Sequence, residues 1–171
     1  MILRIPWLSQ FDAKHVERAG PTACYRACRA MAAAVGVDFP ESTESRLQVA
    51  TEEDANGRAV APSENTRGAV MAIRDALKRG VPVVVGVNYK RGSLNRDGIT
   101  DHFLLVVGWS STAEFPEVFL ALDPGRQMDA GTTHNAELAV DDGQLVRTWP
   151  RRGGWREMQV SMVVCACAWK R

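Results

Sequence analysis

An α+β domain, with an N-terminal helix packed on an antiparallel sheet, is the fold class that this sequence predicts. In the first half of the chain apolar residues recur at helical spacing, and beyond Gly80 they form β-rich runs instead. The two kinds of element are also segregated, helices first and strands second. The 171 residues read as one domain, 1–171, long enough to bury a real core.

Residues 1–20 read as extended chain and loop, punctuated by Pro6 and Gly20-Pro21. From Thr22 to Val35 a helix is expected, because Cys24, Cys28, Met31 and Val35 fall on one stripe, and Gly36 suits its C-terminal cap. Phe39 to Pro62 is polar and irregular, with a short helix over Glu41–Ala50. Ser63 or Thr66 can cap a second helix running to Arg79, with Val70, Ile73 and Leu77 on its apolar face and Gly80 as its stop. Val81–Asn88, His102–Trp109, Glu117–Asp123 and Glu157–Trp169 are strand-like. Leu138–Val140 and Leu145–Trp149 flank Asp141-Asp-Gly143, which reads as a hairpin.

Composition excludes several classes. Apolar and charged residues make up 46% and 24%, as in ordinary globular proteins. Net charge is +1 with no block of one sign, which argues against nucleic acid and anionic membranes as partners. No stretch matches a membrane span, and Met1-Ile-Leu-Arg-Ile-Pro-Trp7 lacks the apolar core of a signal peptide. Cytoplasmic synthesis, or export without a cleavable signal, is the expectation. The cysteines form two close pairs, Cys24/Cys28 and Cys165/Cys167, without the knuckle spacing of structural zinc sites. Cys28, Cys165 and Cys167 read as small buried apolar side chains.

Cys24 is different, because of its place and its company. It stands at the expected start of a helix, where partial positive charge and free N–H groups favour a thiolate nucleophile. His102 opens the run His102-Phe-Leu-Leu-Val-Val-Gly108, at the end of a rigid strand, and is the candidate base. It follows the loop Lys90-Arg-Gly-Ser-Leu-Asn-Arg-Asp-Gly98, whereas His15 and His134 lie in less ordered surroundings. Asp123 closes Val118-Phe-Leu-Ala-Leu-Asp-Pro-Gly125 and can fix the His102 tautomer if those strands pair. Asp101 is the poorer orienter, since strand neighbours point to opposite faces. Gln10, in Ile5-Pro-Trp-Leu-Ser-Gln-Phe-Asp12, can supply an oxyanion-hole amide beside the Cys24 backbone N–H.

Together these residues resemble the papain-like cysteine peptidases of bacteria, especially the bacteriocin-processing and plant-pathogen effector types. The resemblance rests on Pro6…Gln10, Cys24-Tyr25-Arg26-Ala27…Met31, Ala76-Leu-Lys-Arg-Gly-Val-Pro-Val-Val-Val85, His102…Gly108 and Asp123-Pro124. It covers most of residues 5–125, and residues 126–171 lie outside it. It implies a papain-like fold, with Cys24, His102, Asp123 and Gln10 as the catalytic set and no cofactor or metal. It also implies a protein or peptide substrate, and a toxin-like effector passed between cells by a specialised secretion system, with a neutralising immunity protein as partner.

The expected activity is therefore that of a protease or amidase working through a Cys24 thioester. The same residues serve a transglutaminase or deamidase if the acyl acceptor differs. A catalytically inactive papain-like binding module and a zinc-binding adaptor are the non-enzymatic readings.

Overall fold

The computed structural model describes residues 1–12, 22–89, 97–110, 118–141, 143–151, 154–164, 166 and 168–169. In chain order the elements are α1 (Ala23–Ala33), β1 (Val37–Asp38), β2 (Arg46–Gln48), β3 (Glu52–Glu53), β4 (Ala59–Val60) and α2 (Ser63–Lys78). Then come β5 (Val83–Asn88), β6 (His102–Ser110), β7 (Val118–Leu122), β8 (Ala136–Asp141), β9 (Gln144–Arg151), β10 (Gly154–Val164) and β11 (Ala168–Trp169).

The main sheet runs β2-β10-β5-β6-β7-β8-β9, and β9 also pairs with β10. Six antiparallel strands, β5 to β10, thus close into a barrel. Closure depends on the length of β10. Its first half pairs with β9, from Gly154↔Arg151 to Gln159↔Val146, and its second half takes β2 along the same edge. Its other edge pairs with β5. This corrects the expected papain-like α+β fold with an N-terminal helix packed on an antiparallel sheet: the described residues hold two helices and, for the most part, a closed barrel. Alternation along each strand reveals faces but not which strands meet, so the closure left no local trace in the sequence.

Residues from every barrel strand meet in one interior core, among them Val85, Leu104, Phe119, Leu138, Leu145 and Val160. Ala69, Ile73 and Leu77 of α2 join that core, so α2 is held by the inner face. A bulge at Ser161 reverses the alternation of β10: Val160 and Val163 pack with the interior, whereas Met162 and Val164 pack with α1. Helix α1 covers the outer wall, where Cys28 and Met31 pack with Val84, Leu105, Val107 and Leu122. Every residue of β5 is consequently buried. Strands covered on both faces read as continuous apolar runs, as Val83-Val-Val-Gly-Val does.

Both main helices form close to their expected bounds, with Gly36 and Gly80 at positive φ just beyond them. The expected helix over Glu41–Ala50 is instead bends leading into β2. Pro62, not Ser63 or Thr66, occupies the N-cap of α2, where its fixed φ suits helix entry. The Asp141-Asp-Gly143 hairpin is present, with Asp141 opposite Gln144 and Gly143 at φ 72. Cys165 and Cys167, His15, Gly20-Pro21 and most of the Lys90–Gly98 loop lie outside the described residues.

The N-terminal segment straps the barrel. Ile2 bridges to Gly108, Leu3 N donates to Val107 O at 2.7 Å, and Trp109 N donates to Met1 O at 2.9 Å. Gly108 is required for this approach, because a Cβ there would stand 2.5 Å from Met1 O and 2.8 Å from Ile2 Cα. Replacing Gly108 by Ala should therefore push the strap off β6 and cost about 1–3 kcal/mol in urea denaturation. A variant as stable as the parent would show that the strap contributes nothing.

Candidate active site

Antiparallel pairing of β6 with β7, through Leu105↔Leu122 and Val106↔Ala121, places the start of one beside the end of the other. His102 begins β6 and Asp123 follows β7, so the two meet at one mouth of the barrel. His102 Nε2 lies 2.8 Å from Asp123 Oδ1, with both residues buried. With Nε2–H donated to the carboxylate, Nδ1 is the nitrogen left for the thiol of Cys24.

Several contacts fix Asp123. Its Oδ1 also accepts from Gly125 N at 2.8 Å, and its own N–H donates to Asn135 Oδ1 at 2.6 Å. Its carbonyl accepts from Trp7 Nε1 at 2.9 Å and from Asn135 Nδ2 at 3.0 Å. His102 is fixed from the other side, by the turn that precedes it. Asp97 Oδ1 accepts from Ile99 N and Thr100 N, and Oδ2 accepts from Thr100 Oγ1 at 2.6 Å. Thr100 Oγ1 in turn meets Ser161 Oγ at the β10 bulge, 2.6 Å away. Burial opposes the charge on Asp97, but the hydrogen bonds from Thr100 and Ile99 hold its carboxyl below the usual carboxylate range.

Cys24 is the second residue of α1 and is 6% exposed. Thr22 occupies the N-cap, but its hydroxyl accepts from Arg26 Nη1 at 2.6 Å instead of capping a helix N–H, and the first turn carries no acid. Cys24 thus stands at the positive end of a helix that no side chain caps. The ring of its neighbour Tyr25 packs on that of Phe103, neighbour to His102, with centroids 5.0 Å apart. Tyr25 OH also donates to Pro40 O at 2.7 Å. The residues flanking the thiol and the imidazole are thereby locked together.

His102 senses both partners. Burial alone would push its pKa down; hydrogen bonding to Asp123 and to Cys24, with the negative charge of each, overcomes this and raises it from 6.5 to about 9. Cys28 behaves oppositely. Complete burial, followed by the charges of Cys24 and Asp123, pushes its thiol well above the ordinary value, so it stays protonated.

Gln10 also reaches this mouth. Its N–H donates to Pro124 O at 3.0 Å, and its side chain lines a 230 Å³ cavity with His102 and Asp123. Its Oε1 is buried and has no hydrogen-bond partner among the described residues, so no contact ties that end of the amide down. The structure thus brings Gln10, His102 and Asp123 to one cavity, with Cys24 interacting with His102 from α1. Asp101 is engaged elsewhere, accepting from Tyr89 N at 2.9 Å, and His134 pairs with Glu137. Trp7, Asn135 and Thr100 escape sequence reasoning, since side chains that fix neighbouring backbone carry no motif of their own.

Because the folded pKa of His102 is raised, its contribution to stability is complete below about pH 6.5 and is lost as pH rises through about 9. Urea denaturation across that window should show the parent chain losing stability and a His102→Gln variant losing less; parallel profiles would refute the shift. Cys28→Ser should bury a hydroxyl and cost about 1–3 kcal/mol while leaving thiol labelling at Cys24 unchanged.

No protein-family model matches this chain, and no curated protein or solved structure matches it either.

Proposed function

We propose that this chain is a cysteine hydrolase, a protease or amidase that cleaves an amide bond of a protein or peptide through a thioester on Cys24. The observation that carries the reading is His102, buried between the Asp123 carboxylate and the Cys24 thiol and carrying its proton up to about pH 9. A structural histidine in a barrel wall needs neither a carboxylate at 2.8 Å nor a thiol at a helix start.

The chemistry proceeds in two halves. The Cys24 sulfur, having given its proton to His102, attacks the amide carbonyl carbon and forms a C–S bond. The carbonyl oxygen takes the displaced electron pair, and the Gln10 amide with the Cys24 backbone N–H is the donor pair proposed for it. As the carbonyl re-forms, the C–N bond breaks and His102 delivers its proton to the departing amine. Water then adds to the thioester, losing a proton to His102, and the C–S bond breaks to release the acid and restore the Cys24–His102 pair. Asp123 holds the imidazole in the required tautomer throughout.

The test begins with intact-mass labelling by iodoacetamide, in which Cys24 should react much faster than Cys28. Against a peptide substrate, Cys24→Ala and His102→Ala should each abolish turnover, and the double variant should lose little more than either. Gln10→Ala should lower the rate by about 10²–10³. Expression in bacteria examines the toxin-like reading, with growth arrest expected from the parent and not from Cys24→Ala. An active His102→Ala protein would overturn the mechanism.

A further inference from the structure

The cavity beside His102 is bounded by Gln10, Tyr89, Gly125, Arg126 and Met158 as well as His102 and Asp123, and Cys24 is not among its walls. This matters for which half of a substrate it accepts. In the cleavage described above, His102 protonates the departing amine, so that half of the substrate must lie against the imidazole. A cavity that touches His102 but not the nucleophile is suited to that half.

Arg126 supplies its cationic wall. The backbone of this residue is set firmly: its N–H donates to Asp123 O at 3.3 Å, and its carbonyl accepts from Asn135 Nδ2 at 3.0 Å. Its guanidinium, in contrast, forms no ion pair or hydrogen bond among the described residues. The nearby carboxylate of Asp123 is already engaged by His102 and Gly125. Gly125 spares the pair from crowding, since a Cβ there would stand 3.2 Å from Asp123 Oδ1 and 3.3 Å from His102 Cε1. Arg126 is exposed and lines the cavity, and its planar, permanently charged guanidinium can bind a carboxylate there through two parallel N–H···O bonds.

We propose that Arg126 is a specificity determinant that receives a carboxylate on the departing half of the substrate, borne by an acidic side chain or by a free C-terminus. This rests on the hydrolase reading for which half of the substrate enters, but the carboxylate preference itself is measurable without turnover.

Three peptides separate the possibilities on the full chain carrying Cys24→Ala: acetyl-Ala-Ala-Glu-amide, acetyl-Ala-Ala-Gln-amide, and acetyl-Ala-Ala-Gln with a free terminal carboxylate. By calorimetry or NMR titration, at least one carboxylate peptide should bind ~10-fold more tightly than the neutral amide, a difference of one charge-assisted contact. The tighter one identifies the source as side chain or C-terminus. Adding Arg126→Gln should erase the difference, Arg126→Lys should retain part of it, and raising the salt concentration should shrink it. Equal binding of all three, binding of none at millimolar concentration, or discrimination that survives Arg126→Gln would overturn the proposal. If discrimination holds while Cys24 of the parent chain proves unreactive, the hydrolase reading fails and the carboxylate site stands.

Discussion

The antiparallel register of β6 against β7 fixes the distance between His102 and Asp123, and the rest of the site is built around that pair. A buried imidazolium is costly, because burial strips away the water that would stabilise its charge. Here a carboxylate at 2.8 Å meets it on one nitrogen, and the thiol of Cys24 lies toward the other. Neither partner would suffice if the strands slipped, since a shift of one residue turns every side chain to the opposite face. The ladder from Leu105↔Leu122 to Ser110↔Val118 resists such a slip, as does the wholly buried β5 on the other edge of β6.

The thiol of Cys24 arrives by a separate route. Helix α1 is anchored to the outer wall by Cys28 and Met31, both fully buried, while Tyr25 joins it to Phe103 and Pro40. The N-terminal strap brings a third contribution, with Trp7 held on the carbonyl of Asp123 and Gln10 on that of Pro124. The strap and the start of β6, far apart in sequence, thus converge on the Asp123-Pro-Gly125 turn, and α1 joins them through His102. Asn135, bonded to residues 123 and 126, closes that turn from behind.

Much of the local structure was legible in the sequence, and the architecture was not. Stripes such as Ile73 and Leu77 identify a helix, and runs such as Val83-Val-Val identify a strand, because burial imposes those periods directly. Closure into a barrel depends on β10 pairing along both edges and on the bulge at Ser161, and neither has a local signature. The expectation of a papain-like helix-on-sheet fold failed for that reason. The residues that meet at the barrel mouth were easier to single out, because Cys24, His102 and Asp123 each stand at an element boundary, where the change of period is visible. Gln10 was placed by its setting alone, and the position of Arg126 beside the same cavity was not legible, since one arginine after an Asp-Pro-Gly turn carries no signal until the cavity around it is seen.

The central claim is that His102 is a charged imidazole at neutral pH, held by Asp123 through Nε2 and coupled to Cys24 through Nδ1. Nitrogen-15 NMR of the histidine rings tests it most directly. The account predicts that one ring stays doubly protonated to about pH 9, and that it becomes neutral at lower pH in both Asp123→Asn and Cys24→Ala proteins. A His102 ring that titrates near its ordinary value of 6.5, unmoved by either substitution, would contradict it.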